Sequence, residues 1–337
     1  MTGTKLRFGV LSTANIGKNQ VNPAIQASRN AELIGVASRD AAKARDFAAA
    51  GNIARSYGSY EALLDDRDID AVYIPLPNSM HLEWTIRAAE KGKHVLCEKP
   101  LATTAADCRE MQAACDANGV VLMEAFMYRF HPRTRALLDL VRGDDVGALR
   151  TIRTAFTFKL IREDNIRWFP ELGGGALYDL GCYCVDSSRR VMNREPVEAI
   201  AVAGWNDKGV DNELTGILRF DNGATAHLDC SFLLERREFV EAACVDATFI
   251  SADTFVNSLG DVEIVERRGR APQAVHRIEG DNHYRLMVEH FADVAMGKAK
   301  LEFGIEHSIG NLNVIEALYA SARHGGVPVK VGKGPAA

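Results

Sequence analysis

Three side chains in this sequence have the chemistry to move a proton while hydride leaves the same carbon. Lys99 lies in the run Glu98-Lys99-Pro100, and Asp179 and Tyr183 follow three consecutive glycines at residues 173–175. Asp179 and Tyr183 are four residues apart, so a helix that begins near residue 175 would present both on one face. A tyrosine has an ordinary pKa of about 10, and a nearby ammonium can stabilise its phenolate. These residue types therefore suit general acid–base catalysis at a hydroxyl-bearing carbon.

The segment that carries Lys99 belongs to a stretch in which short apolar runs alternate with helical patterns. Strands are predicted at residues 5–11, 32–37, 71–74, 94–97 and 120–123, and helices at 15–28, 40–50, 59–65, 79–91 and 104–118. Asp40, Ser59 and Thr104 stand where helix N-caps are expected. Apolar strands alternating with helices are typical of a parallel sheet covered on both faces. We therefore predict an α/β, doubly wound nucleotide-binding domain over residues 1–123.

After about residue 124 the pattern changes to longer strands with few helices between them. Strands are predicted at 149–158, 197–203, 214–220 and 224–232, and helices at about 174–190, 282–296 and 305–323. Residues 221–223, Asp-Asn-Gly, separate the last two strands and suit the positive φ of a tight hairpin. We predict a second, α+β domain over residues 124–337 with a large, mostly antiparallel open sheet. An uncovered sheet face favours a homo-oligomer, a dimer or tetramer, formed through this sheet.

A turn that could cradle a dinucleotide follows the first predicted strand. Ser12, Ala14 and Gly17 occupy the places where a dinucleotide fingerprint carries its three glycines, and only the third is glycine. Ser and Ala are small enough for the backbone to approach a pyrophosphate at the N-terminus of the next helix. An ordinary strand-to-helix turn would show the same pattern. Cofactor contacts are predicted at Ser12, Thr13, Ala14, Asn15 and Ile16.

The tip of the second predicted strand indicates which dinucleotide would bind. An NAD-specific domain usually presents an acid to the adenosine ribose at this place, whereas here the strand ends Ala37-Ser38-Arg39. The Ser38 hydroxyl can donate a hydrogen bond, and the Arg39 guanidinium can pair with a 2′-phosphate in bidentate fashion. Asp40 is better used as the cap of the following helix. The sequence therefore favours NADP over NAD.

The composition argues against several other classes of protein. With 337 residues the chain favours two domains, and its net charge of -5 gives no basic excess for nucleic acid. No run approaches the roughly 18 apolar residues of a membrane span, and no signal peptide is apparent, so we expect a cytoplasmic protein without a membrane partner. The seven cysteines are scattered and lack zinc spacing, which favours reduced thiols and no metal site.

Four longer motifs, in order along nearly the whole chain, carry a resemblance to a known family. They are Pro75-Leu-Pro77-Asn78-Ser-Met-His81, Glu98-Lys99-Pro100, Met123-Glu-Ala-Phe-Met-Tyr-Arg-Phe-His131-Pro132 and Gly173-Gly-Gly-Ala-Leu-Tyr-Asp179-Leu-Gly-Cys-Tyr183. Together they resemble the glucose-fructose oxidoreductase, inositol dehydrogenase and MocA family (Gfo/Idh/MocA). Tyr183 stands where inositol dehydrogenases have His. The chain is therefore most similar to the branch of D-xylose dehydrogenases, dimeric dihydrodiol dehydrogenases and glucose-fructose oxidoreductase.

The resemblance implies an N-terminal Rossmann domain, a C-terminal sheet domain and an active site between them. Lys99, Asp179 and Tyr183 match the family's catalytic residues, with Tyr183 as the base, Lys99 stabilising the developing negative charge, and Asp179 orienting the substrate or Lys99. The resemblance leaves open whether Lys99 or Tyr183 contacts the reacting oxygen first. Cofactor contacts outside the phosphate turn and Ser38-Arg39 are expected at Pro75, Leu76, Asn78, His81, Glu98, Lys99, Arg129, Arg167 and Trp168.

The expected activity is hydride transfer between NADP and a carbinol or carbonyl carbon of an aldose or related cyclic polyol. A transhydrogenase that keeps NADP tightly bound and a trans-dihydrodiol dehydrogenase are the alternative enzymes. A non-catalytic NADP-sensing regulatory protein is the alternative from another class. The sequence leaves open the identity of the sugar and the preferred direction of the reaction.

Overall fold

A computed structural model describes residues 5–256 and 259–332 of the chain. The chain forms two compact units, the first from residues up to 130 together with 282–309, and the second from 131–281 together with residues from 310 onward. The units depart from the predicted domains 1–123 and 124–337 chiefly because a helix near residue 290 packs in the first unit. Its Phe291 ring lies 5.7 Å from that of Phe8. A contact between residues so far apart along the chain leaves no local signal in the sequence. The predicted domain boundary at residue 123 stays a prediction.

The first unit is built on a six-stranded sheet with all strands parallel, in the order β3-β2-β1-β4-β5-β6. The elements are β1 Leu6–Leu11, α1 Asn22–Ala27, β2 Ala31–Ala37, α2 Ala41–Ala50, β3 Arg55–Tyr57, α3 Tyr60–Leu64, β4 Ala71–Ile74, α4 His81–Glu90, β5 His94–Cys97, α5 Ala105–Ala117 and β6 Leu122–Glu124. The prediction of a doubly wound parallel sheet is confirmed. The strand β3 was not predicted, because this short edge strand is largely exposed and lacks an apolar run.

The predicted helix caps of this unit are confirmed. Asp40 Oδ1 accepts the N–H groups of Ala42 and Lys43 at 2.8 and 3.1 Å, which satisfies two N–H groups that have no partner within α2. The Ser59 and Thr104 hydroxyls cap α3 and α5 in the same way. These caps fix where the strand-to-helix turns begin.

The second unit contains a nine-stranded sheet in the order β14-β13-β12-β11-β7-β10-β9-β8-β15. The elements of this part of the chain are α6 Pro132–Val141, β7 Leu149–Thr157, α7 Cys182–Met192, β8 Pro196–Trp205, β9 Asp211–Phe220, β10 Thr225–Ser231, β11 Arg237–Cys244, β12 Thr248–Ala252, β13 Val262–Arg267 and β14 Ala274–Ile278; they are followed by α8 His283–Ala295, α9 Ile305–Arg323 and β15 Val329–Lys330. Among the described strands of this sheet, β7 and β10 are the only neighbours that pair in parallel. The predicted mostly antiparallel sheet is therefore confirmed.

The second unit has more strands than the sequence predicted. The hairpin joining β9 to β10 was predicted, and Gly223 has the positive φ of 79° that its turn needs. The strands β11 to β15 and the helix α6 were missed. β13 and β14 carry charged and half-exposed residues towards one edge of the sheet, so they lack a clear apolar alternation.

The predicted helix over 174–190 begins slightly later and with a wider turn. A π-helical turn, Leu177–Gly181, leads directly into α7, so that Asp179 and Tyr183 lie on one continuous helical run. We call residues 177–192 the catalytic helix, because they carry the candidate catalytic residues Asp179 and Tyr183. In the part of the chain that the structure describes, no helix combines the length and the apolar character that crossing a membrane requires.

Candidate active site

Lys99 lies two residues after the end of β5, at the carboxyl edge of the parallel sheet where ligands of open sheets bind. Its backbone N–H donates to Glu98 Oε2 at 3.2 Å. The other oxygen of Glu98 accepts the hydroxyl of the buried Tyr73 at 2.6 Å. The Lys99 side chain is half-buried, and the Lys99–Pro100 bond is cis. Glu98, predicted to contact cofactor, thus also braces the backbone of Lys99.

Two buried side chains hold the backbone just after Lys99. The ring nitrogens of His81 lie 2.9 Å from the Leu76 carbonyl oxygen and 3.1 Å from that of Pro100. Glu124 Oε1 accepts the Leu101 N–H at 2.9 Å. His81 is fully buried, and this burial lowers its pKa. The structure therefore places His81, a predicted cofactor contact, where it ties two strand-end loops together.

Arg129, another predicted cofactor contact, is buried in the first unit. Its guanidinium lies 3.5 Å from Glu124 Oε2 and packs over the rings of Phe126 and Phe303, at 4.4 and 5.4 Å. Ser308 donates to the same Glu124 oxygen at 2.7 Å. Glu124 thus links Arg129 to the loop of Lys99. No role was predicted for Glu124, although its position at the end of β6 was a usable signal.

The turn after β1 retains the features that a pyrophosphate requires. Ser12, Thr13 and Ala14 are half-buried, and the Ser12 hydroxyl accepts the Ala14 N–H at 3.0 Å. Asn15 is exposed and Ile16 half-buried, and a π-helical turn, Gly17–Val21, follows and leads into α1. Small side chains at a strand-to-helix turn allow an anion to approach the backbone closely. The residues present therefore fit a dinucleotide phosphate.

The tip of β2 offers a cation and no free acid. Arg39 is exposed, Ser38 is buried with its hydroxyl 3.3 Å from the Asp40 N–H, and Asp40 is used as the cap of α2. The Arg39 guanidinium lies beside Tyr60, where it opposes the rise in pKa that burial causes in that phenol. This donor set fits a 2′-phosphate better than an unmodified ribose. In the loop that follows β4, the predicted cofactor contacts Pro75 and Leu76 are buried and Asn78 is half-buried.

Asp179 is held by an arginine of the second unit. Arg167 Nε and Nη2 lie 2.5 and 3.2 Å from the two carboxylate oxygens of Asp179, a bidentate pair. The Arg167 carbonyl accepts the Gly175 N–H at 3.1 Å, and a Cβ at position 174 would lie 2.4 Å from that carbonyl oxygen. The glycine run therefore allows the Arg167 loop to lie against the catalytic helix. Arg167, predicted as a cofactor contact, binds the candidate catalytic carboxylate in this structure.

Tyr183 has an aromatic surrounding that the sequence did not indicate. Its ring is 3% exposed and lies 5.4 Å from the ring of Phe156 on β7 and 5.3 Å from that of Phe255. The two phenylalanines also stack on each other. Trp168 packs against Phe232 at 5.3 Å and donates to the Arg162 carbonyl at 2.9 Å. The rings of Phe156 and Phe255 restrict the orientation of the Tyr183 ring.

Asp211, which the sequence analysis did not single out, contacts the start of the catalytic helix. It is the first residue of β9 and is 1% exposed. Its Oδ2 accepts the Leu177 N–H at 2.7 Å, and its Oδ1 accepts the Tyr319 hydroxyl at 2.7 Å. The charge of Arg323 on α9 acts to lower the pKa of Asp211, and Asp211 in turn acts to raise the pKa of the Cys230 thiol on β10. Burial raises the pKa of Asp211 to about 7, against the lowering effect of the Tyr319 hydrogen bond.

This raised pKa gives a testable dependence of stability on pH. The folded state binds the proton of Asp211 more tightly than the unfolded chain, whose carboxyl has a pKa of about 3.9. The resulting stabilisation is complete below that pH and is lost as the pH rises to about 7. An asparagine at this position cannot ionise, so Asp211→Asn does not lose stability in this way. As the pH rises between these two values, the free energy of unfolding of the variant should therefore rise by a few kcal/mol relative to that of the natural protein. Urea titrations across this range measure the difference, and a constant difference would contradict the assignment.

The structure thus brings predicted site residues together within each unit. In the first unit, the phosphate turn, Ser38-Arg39, the loop 75–81 and Glu98-Lys99 all follow strands of one parallel sheet. In the second unit, Arg167, Asp179 and Tyr183 lie on or against the catalytic helix. Among the described residues, no group of three or more His, Cys, Asp and Glu side chains is arranged to hold a metal ion. The catalytic and cofactor roles of these residues remain predictions.

Comparison with known proteins places this arrangement in a family. A model of an oxidoreductase family with an NAD-binding Rossmann fold matches residues 6–126, and a model of the GFO/IDH/MocA C-terminal domain matches residues 134–249. The chain is 38% identical over 323 residues to D-xylose 1-dehydrogenase (NADP(+)) 2 of Haloferax volcanii. This alignment covers 95% of the chain and 98% of that protein.

Two solved structures are similar over nearly the whole chain. Aldose-aldose oxidoreductase from Caulobacter crescentus, complexed with glycerol, has a TM-score of 0.88 at 28% identity and covers 97% of this chain and 99% of its own. A 3-ketoreductase from Actinomadura kijaniata, in complex with NADP and TDP-benzene, has a TM-score of 0.89 at 26% identity, with 94% and 98% covered. The resemblance drawn from the sequence motifs is therefore confirmed, and this chain belongs to the Gfo/Idh/MocA family of oxidoreductases.

Proposed function

We propose that this protein is an NADP-dependent dehydrogenase that transfers hydride between the nicotinamide and a carbinol or carbonyl carbon of an aldose or related cyclic polyol. The observation that carries the proposal is the catalytic helix, where Asp179 is oriented by Arg167 and Tyr183 is oriented by Phe156 and Phe255. A phenol and a carboxylate held in fixed positions suit a reaction at a hydroxyl group. The D-xylose dehydrogenase relative supports the choice of an aldose.

Each residue of the catalytic group has a separate task in this proposal. Tyr183 removes the hydroxyl proton of the substrate in the oxidative direction and returns it in the reductive direction. The Lys99 ammonium stabilises the phenolate and the negative charge that develops on the substrate oxygen. Asp179 orients the substrate hydroxyl or Lys99, and its pairing with Arg167 holds the carboxylate in place. When bound, the nicotinamide supplies the site that accepts or donates hydride.

The proposed cofactor selectivity depends on Arg39. Because a charge-assisted hydrogen bond contributes about 1.5–3 kcal/mol, Arg39→Ala should raise KM for NADP by roughly ten- to a hundredfold. KM for NAD should change by less than about threefold, since NAD has no 2′-phosphate for this side chain to bind. Steady-state kinetics with both cofactors measures this. Arg45→Ala, which removes an exposed arginine of α2, is the matched control. Equal effects of Arg39→Ala on both cofactors would refute the assignment.

A spectrophotometric screen tests the proposed activity. Aldoses, cyclic polyols and trans-dihydrodiols are offered with NADP and with NAD, and formation of the reduced nicotinamide is recorded. We expect reduction of NADP with at least one aldose or cyclic polyol, at a higher kcat/KM than with NAD. Tight NADP binding without turnover of any compound would instead support a regulatory NADP sensor.

A transhydrogenating enzyme is the second candidate, because the aldose-aldose oxidoreductase shares the fold over nearly the whole chain. Such an enzyme would keep its cofactor through dialysis and oxidise one sugar while reducing another. A dehydrogenase would release NADP and depend on added cofactor. Cofactor content after dialysis therefore separates the two activities.

We also propose a cytoplasmic homo-oligomer formed through the sheet of the second unit. Exposed apolar side chains on neighbouring strands, Val202 on β8 and Ile217 on β9, support the use of this face as an interface. None of the seven cysteines, all of which lie in the described part of the chain, is paired in a disulfide, which supports a reducing compartment. Light scattering of the purified protein measures its oligomeric state, and a monomer would contradict the proposed interface.

A further inference from the structure

The buried carboxylate of Asp211 satisfies a backbone group at the start of the catalytic helix. An N–H in the first turn of a helix has no partner within the helix, and Leu177 is the first residue of the π-helical turn. Leu177 is fully buried, so water is not available to its N–H. Asp211 Oδ2 accepts this N–H, and the Tyr319 hydroxyl holds the other oxygen in place. The link ties β9 and α9 to the catalytic helix.

Gly175 lies directly against this carboxylate. A Cβ at position 175 would lie 2.2 Å from Asp211 Oδ1 and 2.7 Å from the Tyr319 hydroxyl oxygen, and the φ of Gly175 is 131°. Only glycine combines this close approach with this backbone conformation. The backbone at this point is therefore shaped around Asp211.

The backbone of Gly175 is hydrogen-bonded to both Arg167 and Asp179, which form the ion pair described above. Its carbonyl accepts the Asp179 N–H at 3.0 Å, and its N–H donates to the Arg167 carbonyl at 3.1 Å. A change at Asp211 can therefore reach the Asp179 carboxylate through two short connections, the Leu177 N–H and the Gly175 backbone. No contact between Asp211 and a substrate is needed for this effect.

We propose that Asp211 is a positioning residue for the oxidoreductase reaction, because it fixes the first turn of the catalytic helix and thereby the Asp179–Arg167 pair. The inference rests on the proposed catalytic role of Asp179. A displacement of about 1 Å in a catalytic group can lower the rate by about a hundredfold. Asp211→Ala should accordingly lower kcat by about ten- to a hundredfold, while the Kd for NADP changes by less than about twofold.

A double-mutant cycle with Asp179→Asn separates positioning from a general structural effect. If Asp211 acts through the Asp179 carboxylate, adding Asp211→Ala to Asp179→Asn should lower kcat by less than about threefold further. Multiplicative losses would overturn the inference, because they would show that Asp211 affects turnover independently of Asp179. Full activity of Asp179→Asn alone would instead overturn the proposed role of Asp179.

Further variants keep the inference testable if Asp211→Ala does not fold. Gly175→Ala disturbs the contact between Gly175 and Asp211 from the backbone side. It takes the place of Asp211→Ala in the double-mutant cycle with Asp179→Asn, and the same non-additive result is expected. Asp211→Asn retains an oxygen that can accept the Leu177 N–H and should recover kcat to within about threefold of the natural protein. Glu198→Ala removes a carboxylate of the same sheet that pairs with Arg219, and it should leave kcat unchanged. A kcat of Asp211→Asn as low as that of Asp211→Ala would also contradict the inference.

Discussion

Tyr183→Phe should lower kcat by about three orders of magnitude and leave NADP binding intact. The substitution removes only the hydroxyl, and general acid–base catalysis contributes typically about 10²- to 10⁴-fold to a rate. The ring is buried against Phe156 and Phe255, and phenylalanine fills the same space, so the thermal stability should change little. Pre-steady-state measurement of hydride transfer, together with NADP binding by fluorescence, separates chemistry from binding.

The control for this prediction lies on the same helical run. Tyr178→Phe also removes a phenolic hydroxyl, from the residue next to Asp179, and no catalytic role is proposed for it. Its kcat should stay within about threefold of that of the natural protein. If Tyr183→Phe turns over as fast as Tyr178→Phe, Tyr183 is not the acid–base group.

Lys99→Ala should lower kcat by about a hundred- to a thousandfold, because it removes the charge that stabilises the phenolate and the substrate oxygen in the transition state. The backbone at this position is held by Glu98, and the next residues by His81 and Glu124, so the loop should keep its conformation. The Kd for NADP should change by less than about threefold. Steady-state kinetics and NADP titration check both expectations.

Chemical rescue distinguishes the ammonium of Lys99 from other effects of the substitution. A small primary amine such as ethylamine should restore part of the lost kcat in Lys99→Ala and have no effect on the natural protein. Lys91→Ala, which removes an exposed lysine paired with Asp65, should keep full activity. Undiminished turnover of Lys99→Ala would exclude Lys99 from the mechanism.

The parts of the fold that could be predicted are those with local signals in the sequence. Apolar runs identified β1, β2, β4, β5 and β6; Asp40 marked the start of α2; and residues 221–223 marked a hairpin. The strands β11 to β14 were missed because their positions depend on pairing with β7 and with one another. The carboxylate of Glu238 on β11 is buried, and it accepts the N–H groups of Phe255 and Val256. No linear pattern indicates this pairing.

The same distinction holds for the candidate site. Lys99, Asp179 and Tyr183 lie in recognisable motifs, and Arg39 follows a predictable strand. Asp211 could not be found in this way, since its bond to the Leu177 N–H joins residues 34 positions apart. Arg167 was predicted to contact the cofactor, and that prediction did not include the ion pair that it forms with Asp179.

The most direct test of the central claim is the fate of a deuterium label. The aldose or polyol with the highest kcat/KM is prepared with deuterium on the carbon to be oxidised, and one turnover with NADP is analysed by mass spectrometry of the reduced cofactor. We predict that each reduced NADP carries one deuterium from the substrate and that Tyr183→Phe forms the same product about a thousandfold more slowly. Reduced NADP without deuterium, or equal rates for both proteins, would contradict direct hydride transfer by the proposed group.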